Sequence, residues 1–318
     1  MYPAEFEGLY RRIAHKLEHR RTHVSPITGR QRLAILCRFL GHGSSFSYMA
    51  LELSAGTSTV METVYEVCKA IIDEYFYETF PLPTGSTWAQ SAREFQALWG
   101  YPRAVAALDG KHFECFRPRK SGSSFYNYKG YYSVVLLALC DAQYRILMFD
   151  LGKSSDAGIY MQSPMRSFIE DHLSDFPPAA SLDGFGAVSY HILVDQGFAQ
   201  AVHMQRPFNR LQAESDSGVA HFNKCFSRAR RVVENLFGIL VSRFRLFLHP
   251  IHATQKHVKM LILTAMILHN ILVKSVPARV MRYRYLELEP EEQEQEEQPQ
   301  VENDPHHIRA KREREILV

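Results

Sequence analysis

Two short apolar runs in this chain end on an aspartate with a glycine close behind. Val105–Leu108 runs into Asp109-Gly110, and Ser189–Val194 runs into Asp195-Gln196-Gly197. Runs this short, bounded by turn residues, read as buried strands. A carboxylate at a strand's end beside glycine sits where ligands approach an open α/β sheet. Phe113–Phe116 continues the first run, and Tyr131–Leu139 and Tyr144–Leu151 are further β-forming segments. Cys140–Gln143, holding Asp141, is the natural turn between those two. From about Phe222 to Phe247 the period becomes helical. Strands followed by long helices predict an α/β domain with a mixed sheet over about 101–275.

Residues 1–100 are helical in pattern. Leu33, Ile35, Leu36, Phe39 and Leu40 fall at helical spacing, and Gly41–Ser45 breaks the helix. Phe46–Leu53 reads as a second short helix. After Ser54-Ala55-Gly56, Thr57 or Ser58 can cap a third helix running to about Phe76. Over about 31–77 this has the outline of a helix-turn-helix, and equally that of an ordinary three-helix packing unit. The presumed recognition helix carries Glu62, Glu66 and Asp73 against a single Lys69. A helix that enters the major groove presents Arg, Lys, Asn or Gln instead. Phosphate contact would then fall to other cations, such as the basic run from Arg11 to Arg32.

The formal net charge of +3 hides an asymmetry. From Arg282 onward there are 6 Lys+Arg and 11 Asp+Glu, which leaves 31 against 23 in the rest of the chain. A basic body is compatible with nucleic acid. Glu287–Asp304 holds nine acidic residues and several Gln, so 276–318 is expected to be a disordered acidic tail. Its terminal basic cluster, Arg309–Arg314, reads as a nuclear-import signal or as solvated charge. No signal peptide is expected, because Met1–Arg12 contains Glu5, Glu7, Arg11 and Arg12 and no apolar run. Met260–Val273 is the longest apolar stretch, too short for a bilayer and better suited to a buried helix. The five scattered cysteines read as reduced thiols. His15 and His19 are the nearest approach to a ligand pair on a helix, where a closed zinc site needs four ligands.

A third carboxylate, Glu234, lies inside the helical stretch whose apolar stripe is Phe226, Ala229, Val233, Leu236, Phe237, Leu240 and Phe244. It is about 100° round from Val233, at the rim of that stripe. Acids that converge on one spot repel one another unless a cation joins them, and hard divalent metals prefer oxygen ligands. Each residue also has a plain structural reading. Asp109 and Asp195 suit turns, and Glu234 suits an ion pair with Arg230 or Arg231 one helical turn away.

Asp109-Gly110-Lys111-His112, Ser121-Gly122-Ser123 and Asn127–Ala138 together resemble the Harbinger (PIF-like) transposase-derived nucleases. So do Arg231–Leu240, Arg243-Phe244-Arg245 and His269-Asn270, in the same order along the chain. The resemblance runs from about Arg32 to about Val273. It implies an RNase H-like mixed sheet with flanking helices, preceded by a small all-α, helix-turn-helix-like region. It also implies a DDE triad of Asp109, Asp195 and Glu234 that binds Mg²⁺ or Mn²⁺. The implied reaction is two-metal hydrolysis of DNA phosphodiesters, with strand transfer to follow. Implied partners are DNA, a separate Myb-like DNA-binding protein and a second copy of the chain, in the nucleus. Lys111 and His112 are then candidates for contact with the scissile phosphate, and Arg228, Arg230, Arg231, Arg243 and Arg245 for the DNA backbone. Val194 stands before the second acid where the family usually has glycine. The alternative is a domesticated, catalytically silent module that tethers DNA or recruits proteins.

Overall fold

The computed structural model describes residues 1–19, 27–117, 126–127, 130–152, 156–182, 186–274 and 276–286. Part of the Arg11–Arg32 run, Ser121-Gly122-Ser123, Lys129, the side chain of Asp156, the acidic stretch Glu287–Asp304 and the cluster Arg309–Arg314 lie outside them.

The chain opens with α1 (Pro3–Leu17), α2 (Gly29–His42), α3 (Phe46–Glu52), α4 (Thr57–Thr79) and α5 (Gly85–Trp99). The long strands follow: β1 (Ala104–Glu114), β2 (Ser133–Cys140) and β3 (Ile146–Gly152). Next come α6 (Asp156–Gln162), α7 (Pro164–Asp171) and the short strands β4 (Ala180–Ser181), β5 (Ala187–Val188), β6 (His191–Leu193) and β7 (Met204–Gln205). The remaining helices are α8 (Arg210–Ser215), α9 (Ser217–Arg243), α10 (Gln255–Val273) and α11 (Ala278–Tyr285).

Two compact units emerge. The first comprises Met1–Pro81, His112–Val134 and Gly238–Val276; the second comprises Leu82–Lys111, Val135–Phe237 and Pro277–Val318.

The first unit is built on α4, against which α1, α2, α3 and α10 pack. Thr28 and Gln31 form a reciprocal cap at the start of α2, and Gly43 ends it in the left-handed region at φ 69°. The expected cap of α4 at Thr57 or Ser58 does not form. Gly56, which has no side chain to offer, is the capping residue, and Thr57 is already helical. The helix then runs to Thr79 because Val60, Val64, Val67, Cys68 and Ile71 give it a continuous buried face. Leu261, Ile262, Ala265, Met266 and Leu268 of α10 are buried, and 67% of its most apolar window is inside the protein. That burial matches a core helix, each fully buried Leu or Ile contributing roughly 1.5–3 kcal/mol.

The second unit contains a mixed sheet in the order β3-β2-β1-β6-β7. β2 and β3 are antiparallel, whereas β1, β6 and β7 run parallel. Asp141 sets the turn between β2 and β3. Its carboxylate accepts from the backbone N–H groups of Gln143 and Arg145, each at 2.9 Å, and from the Arg145 guanidinium at 2.5 Å. Val105, Leu108, Val135, Leu137, Ile192 and Val194 form one core with Trp88 and Ala92 of α5 and Met165 and Ile169 of α7. α5 belongs to that core and so to the second unit, whose first segment is Leu82–Lys111. The helix α11 also occupies part of the span expected to be disordered. Met281 is buried, and the Arg282 guanidinium lies 5.4 Å from the centre of the Trp99 ring.

β1 corrects a second expectation. Its two apolar runs join into one strand that passes straight through Asp109, so this aspartate lies mid-strand and not at a strand tip. The strand is fully buried from Ala104 to Leu108 and becomes half-buried at Asp109.

Candidate active site

The parallel pairing of β1 and β6 positions the first two acids. Ala104 is opposite His191, Ala106 opposite Ile192 and Ala107 opposite Leu193. Asp109 and Asp195 each come two residues after the Ala107–Leu193 pair, just past the end of the β1–β6 pairing. Val194, where the family usually has glycine, continues β6 by donating its N–H to the Gln205 carbonyl at 2.9 Å.

Asp195 is half-buried and turns back on its own loop. One carboxylate oxygen accepts the Gly197 N–H at 2.9 Å. A Cβ at residue 197 would stand 3.1 Å from that oxygen, so the small residue permits the close approach. This is the turn role that Asp195 offered as its plain structural reading. The corresponding oxygen of Asp109 accepts the Gly110 N–H at 2.8 Å.

Glu234 is on α9, whose buried face is Phe222, Phe226, Ala229, Val232, Val233, Leu236 and Phe237 in this unit. Its side chain is 44% exposed, in keeping with a rim position. Arg230, one helical turn earlier, donates to Glu234, so the ion pair foreseen as the plain reading of Glu234 does form. The same guanidinium also reaches the second carboxylate oxygen of Asp109, at 3.4 Å. Arg230 therefore joins two of the three acids across 121 positions of sequence. Reading the sequence assigned Arg230 to the DNA backbone and missed this bridge. The Glu234 half was legible from spacing, but the Asp109 half depends on how α9 packs over β1.

The other expected nucleic-acid contacts are dispersed. Lys111 is half-buried on β1, and Arg228 and Arg231 are exposed on α9. A guanidinium nitrogen of Arg228 would lie 2.8 Å from a Cβ placed on Gly100. In the first unit, Arg243 donates to Nδ1 of the buried His269 at 3.3 Å, and Arg245 is exposed. Also in that unit, Nδ1 of His112 is 2.8 Å from the Ser133 hydroxyl, which accepts from the Asn127 amide at 2.9 Å. The cysteines are all free thiols, three of them buried, and His19 is bound to Glu66.

A five-stranded mixed sheet with flanking helices is compatible with a DDE nuclease fold. The model of the DDE superfamily endonucleases matches residues 108–270, just over half of the chain, and that span contains Asp109, Asp195 and Glu234. The chain belongs to the DDE superfamily endonuclease family. No curated protein and no solved structure matches it. Membership points to a transposase-derived nuclease domain.

Family membership implies a divalent metal. The three carboxylates are hard oxygen donors, the right kind for Mg²⁺ or Mn²⁺. Their arrangement is a different matter. Among the described residues, no group of three or more His, Cys, Asp or Glu side chains is set to hold a metal ion. Arg230 takes up Asp109 and Glu234, and Asp195 faces Gly197. The donor set fits in kind but is not presented as a closed group.

Proposed function

We propose that this chain is a metal-dependent DNA endonuclease of the Harbinger transposase type, with an RNase H-like core. Asp109, Asp195 and Glu234 hold the divalent ions. Two such ions supply Lewis-acid activation of the attacking water and stabilisation of the leaving oxygen. Strand transfer after cleavage belongs to the same proposal, as do a second copy of the chain and a separate Myb-like protein as partners in the nucleus. Lys111, Arg228 and Arg231 are the cations proposed to meet phosphate. The observation that carries the reading is that Asp109 on β1 and Asp195 just after β6 each follow the Ala107–Leu193 pair by two residues. Glu234 is tied to the first of them through Arg230.

In this reading α2, α3 and α4 act as the helix-turn-helix-like part. Glu66 of α4 is bound to Arg32 and His19, and Lys69 to Asp73. Glu66, Lys69 and Asp73 of that helix are engaged within the protein, so base reading falls mainly to a partner.

The test is nicking of supercoiled plasmid with Mn²⁺ by the native chain and by Asp195→Asn. The native chain nicks the plasmid and the variant does not; equal activity in both assigns the cleavage to another site. Matched DNA and RNA duplexes fix the substrate class, with DNA preferred. One observation favours a second reading, a silent nuclear DNA-tethering or recruiting module: Arg230 already pairs with both Asp109 and Glu234. For that module, the native chain binds duplex and leaves the plasmid intact.

A further inference from the structure

The guanidinium of Arg230 occupies the oxygens that a metal joining Asp109 to Glu234 would need. It donates to one oxygen of Glu234 and, at 3.4 Å, to the Asp109 oxygen that Gly110 does not use. Only 19% of the Arg230 side chain and 18% of the Asp109 side chain are exposed, so this pair is poorly screened by solvent. Its geometry is pinned from the helix side. Arg230 lies between Ala229 and the Val232–Val233 pair, all three fully buried, so α9 holds the base of the side chain against the unit.

We infer that Arg230 is a built-in competitor for the metal: its guanidinium and a divalent cation contend for Asp109 and Glu234, and Arg230 thereby sets how tightly the metal is held. The inference rests on the metal-dependent reading above. It also accounts for a donor set that is right in kind but not gathered into one group. A cation held beside a carboxylate repels a second cation that approaches the same oxygens. A divalent competitor meets the same field with twice the charge. Arg230 is a positioning residue here, acting through the two acids and not on the substrate.

The test uses the full chain and Mn²⁺ alone, with bound metal read by electron paramagnetic resonance. Arg230→Gln removes the charge and keeps a polar side chain; Arg230→Lys keeps the charge; thermal melting confirms that each variant is folded. Arg230→Gln is expected to bind Mn²⁺ at least about tenfold more tightly than the native chain, and Arg230→Lys to stay close to native. Adding Asp109→Asn to Arg230→Gln abolishes the gain. Equal or weaker Mn²⁺ binding by folded Arg230→Gln overturns the inference and leaves the nuclease reading standing. If no Mn²⁺ binds to the native chain or to any variant, both fall.

Discussion

Asp109 on β1 and Asp195 in the turn after β6 each lie two residues past the pairing of Ala107 with Leu193 on those parallel strands. The rest of the site is arranged around that relationship. β1 delivers its aspartate from within a continuous strand, and β6 delivers its own from the turn that follows it. Glu234 reaches the same neighbourhood from α9 through Arg230.

Glu234→Gln separates a catalytic role from a structural one. An exposed ion pair one helical turn apart contributes only about 0.3–0.5 kcal/mol, and the Glu234 side chain is 44% exposed. The variant should therefore melt within a degree or two of the native chain. It should also lose nicking activity by roughly a hundredfold or more, as when a group stabilising transition-state charge is removed. A fully active variant would make the helical acid a surface charge.

Asp141 offers a contrast, an acid whose role is entirely structural. It is buried, and burial raises its pKa while Arg145 and two backbone N–H groups oppose that rise. Asp141→Ala leaves these donors without their acceptor and should cost about 2–4 kcal/mol. Chemical denaturation measures the loss directly.

At Gly43, a Cβ would lie 2.7 Å from the Arg245 carbonyl oxygen, and φ is +69°. Gly43→Ala should destabilise the first unit by at least ~1–2 kcal/mol from backbone strain alone. A lower midpoint in urea, with unchanged slope, is the expected result.

Acid should weaken the fold partly through His203. Burial is the main cause that lowers its pKa; Arg166 acts in the same direction and Glu170 against it. The unfolded chain therefore takes up the proton first. The stability at stake is complete above about pH 6.5 and declines as the pH falls below that value toward the folded pKa. His257 is shifted in the same direction, again chiefly by burial. His203→Gln should flatten part of the fall in melting temperature between about pH 7 and pH 5.

Much of this fold was legible in the sequence where a local period carried it. The helices at 29–42, 46–52 and 57–79 and the strands flanking Asp141 lie within a few residues of where their apolar spacing puts them. The misplaced features depend on distant partners. Asp109 looked like a strand tip because the apolar run stops there. β1 nevertheless continues to Glu114, with Phe113 buried again after the half-buried Asp109–His112. That α5 packs with the sheet was not legible either, because Trp88 buries itself in the sheet's core, which no spacing within α5 reveals. The i,i+4 pairing of Arg230 with Glu234 could be read from the chain; its reach to Asp109 could not.

The central claim is that three carboxylates from β1, the turn after β6 and α9 surround a shared cation. Fe²⁺ exchanged into the site, with ascorbate and peroxide, cuts the backbone beside the residues that hold it. The account predicts three cuts in the native chain, near 109, 195 and 234, all suppressed by excess Mg²⁺ and all lost together in Asp195→Asn. Cuts near only one of these positions, or cuts elsewhere that persist in the variant, would contradict it.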